Sequence, residues 1–143
     1  MSLLKNIFLT EDDKDDQEFF QDALKAIDES ISCAIAQNGI ETLEMLRGSD
    51  KLPDVIFLDL NMPMMNGFEC LSQIKNEKKL SNLPVVIFTT SRNPAEVQAT
   101  HQLGANVFLT KPASMPELQS KLQRILSIDF SSGGTGSFVQ YSV

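Results

Sequence analysis

The amino-acid sequence predicts a doubly wound α/β domain, a parallel sheet with helices on both faces. Three observations carry this. Strand-like and helix-like segments alternate five times along the 143 residues, and such alternation implies a parallel sheet joined by right-handed crossovers. Two strand-like runs, Val55–Leu58 and Val85–Phe88, are continuously apolar, as strands buried on both faces must be. Polar groups close four of the runs, namely Glu11-Asp12, Asp59, Thr89 and Lys111, and doubly wound sheets bind ligands at those carboxyl ends.

The elements follow in order. The first strand, Lys5–Thr10, feeds a helix over about Asp13–Ile27 in which Phe20, Ala23, Leu24 and Ile27 recur at the helical period. The second strand, Ile31–Ala36, alternates Ile31, Cys33 and Ile35 with smaller or polar residues, as at a sheet edge. The second helix covers Gly39–Arg47 and the third strand Asp54–Asp59. The third helix covers Gly67–Lys78 and the fourth strand Pro84–Thr89. The fourth helix, Pro94–Leu103, has only a thin stripe of Ala95, Ala99 and Leu103, which leaves it easier to displace than its neighbours. The fifth strand is Asn106–Thr110. The last helix, Met115–Ser127, carries Met115, Leu118, Leu122, Ile125 and Leu126 on one face.

The helix starts share a signature. Asn38 precedes Glu41 by three residues, and the same spacing relates Asn66 to Glu69, Asn93 to Glu96 and Ser114 to Glu117. The short polar side chain caps free N–H groups and the Glu reaches back toward the cap. Pro94 takes the first helical position, where a missing N–H costs nothing. After Ser127 the pattern stops. One domain over residues 1–128 is expected, followed by a flexible C-terminal tail over 129–143. Ser131-Ser132-Gly133-Gly134-Thr135-Gly136-Ser137 reads as linker. The final residues from Phe138 either stay loose or add a strand to a partner.

Composition narrows the function. A net charge of −7 argues against general nucleic-acid binding, which relies on Lys and Arg against phosphates. No run approaches the ~18 apolar residues that a membrane span needs. The N-terminus lacks the apolar segment of a signal peptide, and Cys33 and Cys70 have neither metal spacing nor a disulfide framework. The expectation is a cytoplasmic protein that binds neither nucleic acid nor membrane. His101 is the only histidine, which argues against a histidine-based metal site or catalytic triad.

Convergence of Glu11, Asp12 and Asp59 has an electrostatic cost. Each close carboxylate pair repels by roughly 4 kcal/mol at ~4 Å with an effective dielectric near ~20. The Lys111 ammonium offsets part of this, and a hard divalent cation offsets more. An all-oxygen donor set suits Mg²⁺ or Mn²⁺ better than Zn²⁺. Carboxylates form aspartyl phosphates in some enzymes, and phosphoryl transfer chiefly needs positioning and charge neutralisation. Asp59 is therefore a candidate nucleophile, with Lys111 and the Thr89 hydroxyl as ligands for phosphoryl oxygens.

The ordered set Glu11-Asp12, Asp59-Leu60-Asn61-Met62-Pro63, Gly67, Thr89 and Lys111-Pro112 resembles the receiver domain of two-component response regulators, over about Lys5–Ser127. The resemblance implies a flavodoxin-like, five-stranded parallel sheet of order 2-1-3-4-5 with five helices. It implies phosphoryl transfer to Asp59 from a sensor histidine kinase or a histidine phosphotransfer protein. It makes Asp12 a direct Mg²⁺ ligand, with Glu11 acting through water and Asn61 through its backbone carbonyl. Thr89 and Lys111 would sense the phosphoryl group, and Phe108 matches the switch aromatic. Pro63 and Gly67 would shape the site, and Lys111-Pro112 resembles the family's cis peptide bond. Two departures are modest: the acid pair is Glu-Asp, and Thr90 stands where a small residue is common.

The resemblance is to stand-alone receivers such as the chemotaxis regulator, which work as phosphorylation switches with only weak self-phosphorylation and autodephosphorylation of their own. The downstream target would bind the face of the fourth helix, fifth strand and fifth helix, with the protein a monomer or a phosphorylation-dependent dimer. The alternative is a receiver-like interaction module that is never phosphorylated. A phosphatase of the aspartate-nucleophile type would need an acid where Asn61 stands.

Overall fold

The computed structural model describes residues 4–130 and 139–141. Along the chain run β1 (Asn6–Thr10), α1 (Lys14–Ile27), β2 (Ser32–Ala36), α2 (Gly39–Arg47), β3 (Val55–Leu58) and α3 (Gly67–Asn76). They continue with β4 (Val85–Thr89), α4 (Pro94–Gln102), β5 (Val107–Thr110), α5 (Met115–Leu126) and β6 (Val139–Tyr141). The sheet is parallel, in the order β2-β1-β3-β4-β5-β6. The expected 2-1-3-4-5 order of five strands is present, and the three-residue β6 extends it beyond β5. Most of the expected tail, at 131–138 and 142–143, lies outside the described residues. Val139–Tyr141, within the segment expected to be a flexible tail, pairs with the chain's own β5, with Gln140 opposite Phe108.

Strand residues alternate between two apolar layers. Leu9, Phe57, Phe88 and Leu109 face α1 and α5, where they meet Phe20, Leu24, Leu118 and Leu122. Phe20 lies 4.9 Å from Phe57 and 5.4 Å from Phe88, ring centre to ring centre, in edge-on and tilted arrangements that suit the ring quadrupole. Phe8, Ile56, Leu58, Ile87 and Phe108 form the other layer with Leu43, Leu46, Leu71 and Ile74 of α2 and α3. Continuous burial of β3 and β4 is the reason their sequences do not alternate.

Each expected N-cap is present, but the Glu side chains do not return to the cap residue: Glu41 accepts from the Gln37 N–H and Glu96 from the Ser91 hydroxyl. Asn38, Asn66 and Ser114 accept from the backbone N–H of Glu41, Glu69 and Glu117, while Asn93 accepts from Ala95. Asp13 caps α1 through the N–H of Asp16. The stripe read on α4 needs correction. Ala95 is exposed, and the residues that hold the helix are Thr100, the only buried one, with Val97 and Leu103 partly covered. The Thr100 hydroxyl turns back to the carbonyls of Glu96 and Val97, which is how a polar residue fills a core-facing position without an unpaired group.

The position of Phe20 between two aromatic rings generates a test. Phe20→Ala is expected to destabilise the fold by about 3–5 kcal/mol, read from urea denaturation. A loss under about 1 kcal/mol would be the behaviour of a surface site and would contradict this packing.

Candidate functional site

The sheet register gathers the polar residues. Thr10 pairs with Leu58, Leu58 with Ile87 and Thr89 with Thr110, so Glu11 and Asp59 leave the sheet side by side and Lys111 leaves it at the same edge, two residues further along. Ladder hydrogen bonds run one residue past the strands: Glu11 N–H to Ala36 O, Asp59 N–H to Thr10 O, and Lys111 N–H to Thr89 O. Three backbones are thereby fixed before any side-chain contact is made. The order of strands reverses between β1 and β3, where ligands bind in doubly wound sheets.

Lys111 is the hub. Its Nζ donates to Glu11 Oε1 at 2.6 Å and to Asp16 Oδ2 at 3.0 Å, and lies 3.5 Å from Asp59 Oδ2. The Phe88 ring backs the ammonium at 5.4 Å. Side-chain exposure is 12% for Lys111 and 1% for Glu11. Asp59 is also buried, and its Oδ1 accepts from the Asn61 N–H at 3.3 Å. Asp12 is exposed beside them, and one carboxylate oxygen from each of Glu11, Asp12 and Asp59 lies within 4.8 Å of the others. Three carboxylate oxygens at that spacing, without Cys or His, fit a hard divalent cation.

The loop after Asp59 is shaped by backbone geometry. The Gly67 N–H donates to Leu60 O. A Cβ on Gly67 would stand 2.4 Å from Asp59 O and 2.7 Å from Leu60 Cα, so no larger residue fits without moving the Asp59 backbone. Met64 adopts φ 70°, unusual outside glycine, and the Met65 N–H returns to Pro63 O. The Asn61 and Met64 side chains are exposed.

Thr89 is fully buried and its Oγ1 accepts from the Ser91 N–H at 3.4 Å, while Thr90 beside it is exposed. Phe108 is fully buried in the layer that α4 covers, so the ring already points inward. Pro112 is buried, but no described peptide bond is cis. The cis Lys111–Pro112 bond implied by the family resemblance is thus trans here. The two forms of an X–Pro bond differ by only ~0.5–1 kcal/mol, too little for the dipeptide alone to decide. Cys33 is half-buried and Cys70 buried, and burial pushes both thiols up to about 12, consistent with inert packing groups.

Asp16 was not among the expected site residues. On sequence it belongs to an acidic helix start. The signal that marks it is its spacing of four from Phe20, which puts it on the same face of α1, at the half-exposed end of the buried stripe.

Burial raises the Glu11 carboxyl, and the hydrogen bond and charge of Lys111 pull it partly back. Asp59 is raised for the same first reason. At Lys111 desolvation is outweighed by the Glu11 hydrogen bond and by the charges of Asp59 and Glu11, so its pKa lies above the usual one.

Residues 7–123 match the family model for the response regulator receiver domain. The chain belongs to the response regulator receiver family, whose work is two-component phosphorelay signalling. It is 34% identical over 128 residues to response regulator Rcp1 of Synechocystis sp., covering 86% of this chain and 87% of that one. Among solved structures it resembles the phosphorylated cyanobacterial phytochrome response regulator RcpA, with TM-score 0.78, 33% identity and coverage of 85% and 91%. It also resembles the Mn²⁺-bound form of Rcp1, with TM-score 0.74, 32% identity and coverage of 90% and 96%. No described helix is long and apolar enough to cross a membrane.

Two outcomes follow from this geometry. A folded-state pKa above the unfolded one means that protonation favours folding. For Glu11 that stabilisation is complete below its ordinary 4.5 and is lost as pH rises through about 7. Metal-free protein is therefore expected to melt at a higher temperature near pH ~5.5 than near pH ~8, with Mg²⁺ raising the melting temperature more at the higher pH. A flat profile in both respects would show that the acids do not crowd. Gly67→Ala is expected to cost about 1–3 kcal/mol by overpacking, and the amide NMR signals of Asp59 and Leu60 should shift with it.

Proposed function

We propose that Asp59 accepts a phosphoryl group from a phosphohistidine on a sensor kinase or phosphotransfer protein, in a reaction that depends on Mg²⁺ or Mn²⁺. The modification then changes which partner the domain binds. The observation that carries this is the Asp59 carboxylate at the end of a central strand, beside Lys111 and within an all-oxygen acid cluster. Relatives crystallised with bound Mn²⁺ and in phosphorylated form support the same reading.

Glu11, Asp12 and Asp59 would hold the metal, with the Asn61 carbonyl as a further oxygen donor. When bound, the ion neutralises charge on the phosphoryl oxygens. The rest falls to the chain's own groups. An Asp59 oxygen attacks phosphorus as the phosphorus–nitrogen bond of the donor breaks, and the bonding electrons leave with the imidazole. The Lys111 ammonium binds one phosphoryl oxygen as a point charge, and the Thr89 hydroxyl donates to another. Thr90, exposed beside Thr89, narrows the approach of water and so affects the lifetime of the product.

Phosphorylation adds roughly −2 charge and strong acceptor oxygens. Drawing Thr89 toward them alters the packing around Phe108, which already lies inward on the adjacent strand. The lightly buried α4 and the neighbouring β5 and α5 then present the face for a downstream target. This is a population shift between two states of one fold. β6 lies along β5, so the target meets a face in which β5 is paired on both sides.

The test is direct. Acetyl phosphate with Mg²⁺ should produce a shifted band in phosphate-affinity electrophoresis, absent for Asp59→Asn. Beryllofluoride with Mg²⁺ should move the NMR signals of Thr89 and Phe108. An unshifted wild-type band would favour a receiver fold used for binding alone.

A further inference from the structure

Asp16 reaches the site from α1, and nothing in the proposed transfer uses it. Its backbone is anchored. The Asp16 N–H is held by the Asp13 cap, and the residue stands one turn above the buried Phe20. Its Oδ2 accepts from Lys111 Nζ at 3.0 Å, while Glu11 Oε1 accepts at 2.6 Å. An ammonium has three N–H donors, and these two bonds occupy two of them. The distance to Asp59 Oδ2, 3.5 Å, exceeds a direct hydrogen bond. Lys111 is thus bound more closely to Glu11 and to Asp16 of α1 than to the group it is to serve. The two acceptors differ in kind. Glu11 belongs to the acid cluster, whereas Asp16 stands outside it and is 45% exposed.

We propose that Asp16 is a positioning residue for Lys111, holding its ammonium back from Asp59 until a phosphoryl group competes for it. The proposal rests on Asp59 as the phosphoryl acceptor. Asp16 also adds a negative charge near an incoming anion. Both effects act in one direction, so Asp16 slows modification of Asp59 and weakens retention of a phosphoryl group or its mimic.

The experiment has two arms. In the first, the ammonium nitrogen signal of Lys111 is followed by NMR in the full chain with no phosphodonor present, assigned by its loss in Lys111→Met. The signal should shift or broaden in Asp16→Ala and recover in Asp16→Glu. In the second, acetyl phosphate with Mg²⁺ should modify Asp16→Asn about two- to fivefold faster than wild type at low salt, the size expected of a partly exposed ion pair. Added salt should shrink that ratio, and beryllofluoride should bind the variant more tightly by a similar factor. A Lys111 signal indifferent to Asp16→Ala overturns the hold itself. A wild type that takes up phosphoryl while Asp16→Asn is no faster, or slower, overturns the restraining role. A wild type that is never modified removes the acceptor reading, and with it the purpose of the hold, whatever the NMR arm shows.

Discussion

One ammonium organises the carboxyl end of this sheet. Lys111 contacts carboxylates from β1, α1 and β3, and two of those carboxylates are buried. A buried ion pair is a weak source of net stability, because desolvation offsets most of the attraction. Its effect here is geometric. It sets the distance between acids that would otherwise repel, and it leaves them pointing at one spot. The fold does the preparatory work, since ladder bonds beyond the strands fix the backbones of Glu11, Asp59 and Lys111. Gly67 then lets the following helix start close against Asp59, where any side chain would collide.

Much of this was legible in the chain. Alternating strand and helix patterns identified five β/α units because strands and helices differ in period and four of the helix starts carry a cap signature. The crowded acids were legible because residues directly after a parallel strand must emerge at one edge, whatever the strand order. What escaped has a common cause. Asp16 looked like a helix-start acid, and local sequence cannot say which carboxylate a distant lysine will choose. Ala95 looked like part of a buried stripe, whereas α4 leans on Val97, Thr100 and Leu103. With so few apolar residues, a small rotation of that helix changes which ones are covered. The Lys111–Pro112 geometry depends on a preference too small to be written in two residues.

The two cores divide the labour. The layer under α1 and α5 contains the aromatic trio Phe20, Phe57 and Phe88, and it supports both Phe88 behind the ammonium and Phe20 below Asp16. The opposite layer ends at Phe108 beneath the thinly buried α4. Rigidity therefore sits on the side that holds the charges, and looseness on the side that α4 covers. A local opening of α4 exposes little apolar surface, so it costs less than an opening of α1 or α5.

Strand β6 has a consequence for self-association. A parallel sheet ends in two rows of unpaired amide groups, and chains with both rows open can stack edge to edge without limit. Here Val139–Tyr141 takes the row on β5, so that among the described residues the outermost strands are β2 and the three-residue β6. The β5 row is thereby exchanged for a much shorter one, and a short edge strand offers little to a second sheet.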